Sequence, residues 1–420
     1  MARRYFGTDG VRGVVGDDLT PELVERLGNA ATLWSGGGRI FIGRDTRGSG
    51  PELEAAFARG VVSAGGHAVL GGVLPTPAVA LLALDVGAVI SASHNPPEYN
   101  GVKFFDGEGR KLTDEAEEEI EALLDRPGPG GGDVDQVRIA TDSYLEHVVE
   151  RFGSDLSGLH VAVDCANGAY STIAPKAFEQ LGAEVMPVAN EPDGMNINVG
   201  CGATDLSLVS RVVRERGLDL GVAFDGDGDR MLAVDERGEA VDGDQIIAAL
   251  ALELGVDLVA VTSMTNLGFH RLMVERGIRV VTTDVGDRYV LEALERERGL
   301  LGGEQSGHVI YLRDHVTGDG LAAALVLCGS LHGRPLSDVV AVMPRYPQAK
   351  VNVRVARRTL SPAVLEEVER LNAQLAGRGR VLVRPSGTEP VVRVLAEAET
   401  GAEAADVCAT MAALVKRELG

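Results

Sequence analysis

Leu220-Gly-Val-Ala-Phe-Asp-Gly-Asp-Gly-Asp-Arg-Met-Leu-Ala-Val234 is the stretch from which the rest of the chain can be read. Leu220–Phe224 is a short apolar run with strand character, and Met231–Val234 is a second. Between them Asp225, Asp227 and Asp229 stand at i, i+2 and i+4, separated only by glycines. Carboxylates this dense repel one another unless a hard cation draws them together. Oxygen-only ligands suit Mg²⁺, Mn²⁺ or Ca²⁺ rather than zinc. An EF-hand is the obvious rival, because Glu236 also falls at the twelfth loop position. The sixth position must then be Gly and is Arg230, and the flanks read as strands, not helices. The stretch therefore predicts a strand, a metal loop at its carboxyl end, and a return strand.

The same grammar extends outward. Strand-like runs at Arg39–Gly43, Gly87–Ser91, His160–Asp164 and Leu258–Thr262 alternate with amphipathic stretches such as Pro51–Ala64 and Leu206–Arg216. Alternation of this kind predicts βαβ units and largely parallel sheets. Three blocks each send an apolar strand into a polar loop, beginning at Ser91, Asp225 and Gly303, and ligands bind at the carboxyl ends of such strands. After Pro344–Pro347 the pattern changes to strand (Ala349–Val355), helix (Ser361–Leu375), strand (Arg380–Val383), Gly/Pro loop, strand (Val391–Ala396) and helix (Ala402–Leu419), a compact α+β tail. Arg126-Pro-Gly-Pro-Gly-Gly-Gly-Asp133 follows an acidic helix, Asp114–Leu124, and reads equally as a surface loop or a linker. The division expected is 1–142, 143–247, 248–345 and 346–420.

Composition bounds the rest. A chain of 420 residues, 45% hydrophobic, exceeds one core. No apolar run approaches the ~18 residues of a membrane span. Met1-Ala-Arg-Arg-Tyr-Phe6 leads into Gly/Asp-rich sequence with no apolar region, so a secretory leader is not expected. The four cysteines, Cys165, Cys201, Cys328 and Cys408, are scattered and predict buried thiols, not a disulfide framework or a zinc site. A cytoplasmic location is expected. The net charge of −22 repels nucleic acid and anionic membranes alike. It repels phosphorylated metabolites too, so any phosphate site must gather its cations locally.

Several loops do gather them. Ala88-Val-Ile-Ser-Ala-Ser-His-Asn-Pro-Pro97 ends a strand in a turn where Pro96–Pro97 bars a helix, leaving Ser93 and His94 near Lys103. A serine so placed can be a nucleophile or phosphate carrier, although an ordinary Ser/Asn/Pro turn is the better reading of that stretch alone. Gly302-Gly-Glu-Gln-Ser-Gly-His308 projects Glu304 and Ser306, which can hydrogen-bond adjacent sugar hydroxyls or form a simple turn. Arg384-Pro-Ser-Gly-Thr-Glu-Pro390 with Arg393 reads as an anion nest lined by Ser386, Gly387 and Thr388. Arg12 in Gly7–Gly13, and Arg44 and Arg47 in Gly43–Gly50, are read as surface ion pairs unless a phosphate claims them. Gly318-Asp-Gly320 is read as a helix start capped by Asp319, not a dinucleotide loop.

The order of these motifs is more telling than any one of them. Thr8–Gly13, Ser91–Pro97, Asp225–Arg230, Gly303–His308 and Arg384–Pro390 together resemble the α-D-phosphohexomutase superfamily along the whole chain. Tyr5–Gly13, Asn196-Ile-Asn198, Cys201–Asp205, Asp242–Gln245 and Gln305 resemble its members acting on amino-sugar phosphates. The resemblance implies three related mixed α/β sandwich domains plus a small α+β C-terminal domain around a central cleft. It implies Ser93 as phosphoserine, with Mg²⁺ held by Asp225, Asp227, Asp229 and an oxygen of that phosphate. Glu304 and Ser306 would contact the sugar. Arg384, Ser386, Gly387, Thr388 and Arg393 would hold the non-reacting phosphate, and Arg12 and Lys103, with His94 beside them, the transferring one. Relatives acting on glucose or mannose phosphates carry a His where this chain reads Gly286-Asp-Arg-Tyr289. Arg288 hardly titrates and is assigned to phosphate binding instead. The expected reaction interconverts glucosamine 6-phosphate and glucosamine 1-phosphate through a sugar 1,6-bisphosphate. The rival is the same chemistry on mannose or glucose phosphates. Only a phosphosugar partner and a possible homodimer are implied, with no nucleic acid or membrane.

Overall fold

The computed structural model describes residues 4–7, 9–386 and 390–420. The described residues form two compact units, one of residues 1–264 with 278–342 and one of 265–277 with 343–420. The first unit carries three mixed sheets. In the first sheet β1 (Val11–Val14), β2 (Arg39–Arg44), β3 (His67–Val73), β4 (Val86–Ile90), β5 (Tyr99–Asp106) and β6 (Asp133–Gln136) run in the order β1-β5-β4-β2-β3-β6. The second holds β7 (His160–Asp164), β8 (Glu184–Val188), β9 (Leu220–Phe224), β10 (Met231–Val234) and β11 (Ala240–Val241) in the order β11-β10-β9-β7-β8. The third holds β12 (Leu258–Thr262), β13 (Arg279–Thr283), β14 (Leu301–Gly303) and β15 (Val309–Tyr311) in the order β13-β12-β14-β15.

The three sheets share one device. A central strand, β4, β9 or β12, is buried along its whole length. Strands covered on both faces need unbroken apolar runs, and Val86–Ile90, Leu220–Phe224 and Leu258–Thr262 supply them. Their parallel neighbours require helical crossovers. In the first sheet the helices Pro21–Trp34 and Gly50–Ser63 provide the cover, with Leu27, Phe57 and Val61 in the core. In each sheet an antiparallel strand then turns back beside a parallel one: β5 beside β4, β10 beside β9, β15 beside β14. The polar loops entering these return strands begin at Ser91, Asp225 and Glu304, so the chemistry sits where chain direction reverses.

The second unit is a three-stranded antiparallel sheet of β16 (Gln348–Arg354), β17 (Arg380–Pro385) and β18 (Val391–Glu397), in the order β16-β18-β17. Helices Pro362–Leu375 and Gly401–Leu419 cover it around Val364, Val394, Met411 and Val415. Ser361 and Thr400 cap them, each side chain accepting the backbone N–H three residues on.

Two readings of the sequence are sharpened. The Arg126–Asp133 stretch is a loop, because it feeds β6, which pairs with β3 of the same sheet. Asp319 caps the helix Gly320–Gly329, as its spacing predicts. No helix among the described residues is long and apolar enough to cross a membrane. All four cysteines are buried and free.

Candidate active site

Ser93 lies just beyond β4 with φ of +52°. L-residues avoid this left-handed region, so the turn that carries Ser93 is held by its surroundings. Its hydroxyl donates to Asp225 Oδ2 at 2.5 Å, and His94 Nδ1 lies 3.2 Å from Ser93 Oγ. Burial first, then the guanidiniums of Arg230 and Arg12, push His94 down to about 3, so its imidazole is neutral. On β5, Lys103 pairs in register with Val89 of β4 and directs its ammonium into the same space. It lies 2.7 Å from Asp227, 2.9 Å from Asp229 and 3.2 Å from Asp9. Burial would lower the ammonium's pKa, but the three carboxylates outweigh it and hold Lys103 well above the usual lysine range.

Asp225, Asp227 and Asp229 are all buried, and their ligand oxygens lie within 4.8 Å of one another. Burial, then Asp229 and Asp227, pushes Asp225 up to about 8. Asp229 goes the other way: burial would raise it, but Lys103 and His308 hold it well below the carboxylate range. Asp227 Oδ1 is buried with no hydrogen-bond partner among the described residues. A buried carboxylate oxygen without a donor is costly unless a cation meets it. Three converging carboxylates with one such oxygen fit a hard divalent ion, and among the described residues no nitrogen or sulfur ligand joins their cluster.

The loop that presents these carboxylates is tightly backed. Gly228 has φ of +76°, and a Cβ there would sit 2.3 Å from Tyr170 Cε2. The Tyr170 hydroxyl donates to Asp319 Oδ1 at 2.9 Å, and that of Tyr144 to Asp319 Oδ2 at 2.8 Å. His315 Nε2 lies 3.1 Å from the same carboxylate. Gly320 N–H donates to the Gly228 carbonyl at 3.0 Å.

The third loop joins through a residue the sequence reading passed over. His308 Nδ1 is 2.8 Å from Glu304 Oε2, and its Nε2 is 3.1 Å from Asp229 Oδ1. Burial and Arg230 oppose its protonation, but Asp229 and Asp287 prevail and raise His308 to about 10. Glu304 also accepts from the Gly286 N–H at 3.0 Å, and Ser306 Oγ lies 3.4 Å from Glu304 Oε2. His308 closes the quoted Gly302–His308 motif, so its position was visible while its role was not.

Other expected residues fall as follows. Arg12 on β1 pairs with Asp9, and its Nε is buried without a partner among the described residues. Asp9 also receives Lys111 at 2.8 Å, and Lys111 reaches Asp287 at 2.6 Å. Arg288 is not in this ring: its guanidinium donates to Asp114 and to the Leu112 carbonyl. Arg44 pairs with Glu54 at 3.3 Å. Arg47 corrects the reading as a surface ion pair, being fully buried with Asp45 at 2.9 Å. In the second unit Arg384 of β17 stands directly across from Arg393 of β18, and Ser386 N–H donates to the Val391 carbonyl. Thr8, Gly387 and Thr388 lie outside the described residues.

A serine hydroxyl on a three-carboxylate metal loop, backed by a buried lysine and joined by a histidine to a carboxylate loop, marks the phosphohexomutase class of enzyme. Phosphoglucomutase/phosphomannomutase family models match the chain in series. The α/β/α domain I matches residues 3–128, domain II 142–238, domain III 242–346 and the C-terminal domain 351–414. The chain belongs to this phosphoglucomutase/phosphomannomutase family. It is 49% identical to a phosphoglucosamine mutase of Moorella thermoacetica, with 94% of this chain and 95% of the relative aligned. It is 44% identical to that of Bacillus subtilis over 99% of each. A solved phosphoglucomutase/phosphomannomutase family protein from Burkholderia thailandensis superposes with a TM-score of 0.85 at 25% identity, covering 98% and 97% of the two chains. The N-acetylphosphoglucosamine mutase of Aspergillus fumigatus, solved with GlcNAc-6P and magnesium, shares the fold with a TM-score of 0.69 at 20% identity, over 99% and 96%.

Proposed function

We propose that the chain is a phosphoglucosamine mutase, interconverting glucosamine 6-phosphate and glucosamine 1-phosphate with Ser93 as phosphate carrier. The observation that carries the reading is the 2.5 Å approach of Ser93 Oγ to Asp225 inside a ring of Asp227, Asp229 and Lys103. The full-length phosphoglucosamine mutase relatives support the amino sugar over mannose or glucose. The four-domain division at 142, 247 and 345 is part of the proposal, supported by one sheet in each segment. A cytoplasmic location is also part of it.

Phosphoryl transfer through a loose transition state needs positioning and positive charge around the transferring oxygens more than covalent help. Phospho-Ser93 gives its phosphoryl group to O1 of glucosamine 6-phosphate. The P–Oγ bond breaks, a P–O1 bond forms, and the O1 proton leaves as Oγ gains one. The resulting 1,6-bisphosphate turns over, and its 6-phosphoryl group returns to Oγ by the same exchange in reverse. Bound at Asp225, Asp227 and Asp229, Mg²⁺ would supply Lewis-acid charge to a phosphate oxygen. Lys103 and Arg12 hold the transferring group. His94, kept neutral, lies 3.2 Å from Ser93 Oγ and adds no charge there. Glu304 and Ser306 bind sugar hydroxyls. Arg384, Ser386, Gly387, Thr388 and Arg393 hold the non-reacting phosphate. Arg384 and Arg393 face each other across β17 and β18, and guanidinium groups suit the bidentate geometry of a phosphate. Arg288 is retained as a phosphate contact that must first leave Asp114.

The test has two arms. Intact mass before and after phosphatase treatment, with mapping of the modified residue, should locate one phosphate on Ser93. Competition among glucosamine, glucose and mannose phosphates should favour glucosamine; faster turnover of mannose phosphate sinks the assignment.

A further inference from the structure

Two stretches singled out in the sequence, Gly43–Gly50 and Asn196-Ile-Asn198, hold residues that the reaction as proposed does not use. Arg47 is completely buried. All five of its guanidinium N–H groups are engaged: Nε with Asp45, Nη1 with the Pro96 and Tyr99 carbonyls, and Nη2 with the Ser93 and Asn95 carbonyls. Four of its five acceptors are therefore backbone oxygens, three in the loop that carries Ser93 and the fourth at Tyr99, where that loop enters β5. Asn198, from the second sheet's segment, donates through Nδ2 to two of the same oxygens, Ser93 O at 2.9 Å and Asn95 O at 3.1 Å.

We infer that Arg47 and Asn198 are positioning residues for phosphoryl transfer, fixing the Ser93 carbonyl and with it the left-handed turn that aims Oγ at Asp225. The inference rests on the mutase reading above. The hydrogen bonds around Ser93 close on themselves. Its N–H donates to Ser91 Oγ at 2.9 Å, and Ser91 Oγ donates to Asp45 Oδ2 at 2.7 Å. Asp45 accepts from Arg47 Nε at 2.9 Å, and Arg47 Nη2 returns to the Ser93 carbonyl at 2.9 Å. Both backbone groups of Ser93 are thus fixed by one buried cycle, which is what a disfavoured φ requires if it is to persist. Among the described residues no hydrogen bond or ion pair joins Arg47 or Asn198 to the three aspartates, so they act through Ser93.

The residue types follow from the task. A lysine offers three donors on a point charge and cannot span four carbonyls in a plane; the planar fork of arginine can. Asn198 adds a link between segments. The seam beside it is equally close, with Gly48 N–H donating to the Gly194 carbonyl at 2.8 Å and Thr46 Oγ1 to the Asn167 carbonyl at 2.5 Å. Gly226, in the metal loop, has no room for a Cβ, which would fall 2.7 Å from Ser93 O and 3.0 Å from Asn198 Nδ2. Carrier turn and metal loop are therefore registered against each other by backbone contact, with Asn198 at the join.

The test compares Asn198→Ala and Arg47→Lys with the wild-type protein. Both should lower kcat by about ten- to a hundred-fold, the effect of misplacing a reacting atom by about an ångström, with KM within about two-fold. The ³¹P resonance of phospho-Ser93 should shift or broaden in both. If Arg47→Lys does not fold, Asn198→Ala decides. A folded Asn198→Ala protein with wild-type kcat and an unchanged ³¹P line overturns the inference, as does a kcat loss that only tracks the folded fraction. If the wild-type protein does not turn over glucosamine phosphates, the mutase reading fails separately. The rate at which Ser93 takes phosphate from glucose 1,6-bisphosphate, followed by intact mass, then decides the positioning role.

Discussion

The Ser93 hydroxyl donates to Asp225 Oδ2 across 2.5 Å, although 132 residues separate the two in the chain. One belongs to a turn after β4, the other to a loop after β9, and each strand is buried throughout. The pairing therefore comes from docking two rigid sheets, not from a flexible segment finding its partner.

Ser93→Ala should abolish phosphate uptake and lower turnover by at least roughly a thousand-fold, because it removes the attacking atom itself. The thermal midpoint should barely move. Phosphate incorporation by intact mass and a melting curve check both halves.

Asp227→Asn should weaken divalent-ion binding by more than the roughly 10–100-fold that losing a supporting partner costs, since a ligand oxygen is lost. Asp227 also accepts from Thr76 at 2.6 Å, and an amide in its place disturbs that bond. Titration of Mn²⁺ by electron paramagnetic resonance measures the change without any turnover.

Lys103→Met should leave Asp9, Asp227 and Asp229 facing one another without their ammonium. Breaking a buried charge cluster on one side costs about 3–5 kcal/mol. Added Mg²⁺ should therefore raise the melting temperature of this variant more than that of the wild-type protein. Equal shifts would show that the lysine does not balance the metal loop.

Gly228→Ala should cost about 1–2 kcal/mol from the left-handed backbone alone, and more from the collision with Tyr170. Tyr170→Phe leaves those ring carbons in place but takes a donor from buried Asp319, at about 1–3 kcal/mol. Chemical denaturation gives both values. Mn²⁺ affinity should fall further for Gly228→Ala.

His270 gives the second unit a pH dependence. Burial first, then Arg380, lowers it to about 4 from an ordinary value near 6.5. The unfolded chain then binds the proton more readily than the folded one between these values. Stability is complete above about pH 6.5 and falls as pH drops toward 4, by on the order of 1–3 kcal/mol. His270→Gln should flatten that part of the stability profile, read by denaturant melts at pH 4 to 7.

Much of this was legible because its cause was local. β7, β9 and β12 begin and end where their apolar runs do, and the aspartate loop declares itself through like charges at close spacing. The small antiparallel tail could likewise be traced from alternation and its Ser361 cap. Arg47 could not be read this way. An arginine between a threonine and a glycine looks solvent-exposed until the four carbonyls that surround it are folded into place. His308 is similar: its role needs Glu304 and Asp229 on either side, and only one of those is near in sequence. β6 was missed because Asp133–Gln136 is polar and exposed, with a place in the sheet fixed by β3 alone.

The buried cycle through Ser91, Asp45 and Arg47 has an evolutionary consequence. The proposed reaction assigns none of the cycle's groups to the sugar, so on that reading nothing in it need change when the substrate does. Selection for a new hexose can act on the Gly302–His308 and Gly286–Tyr289 loops while the phosphate carrier is inherited intact. On the proposed reading a single carrier unit can in this way serve many sugars, with divergence confined to the loops assigned to them.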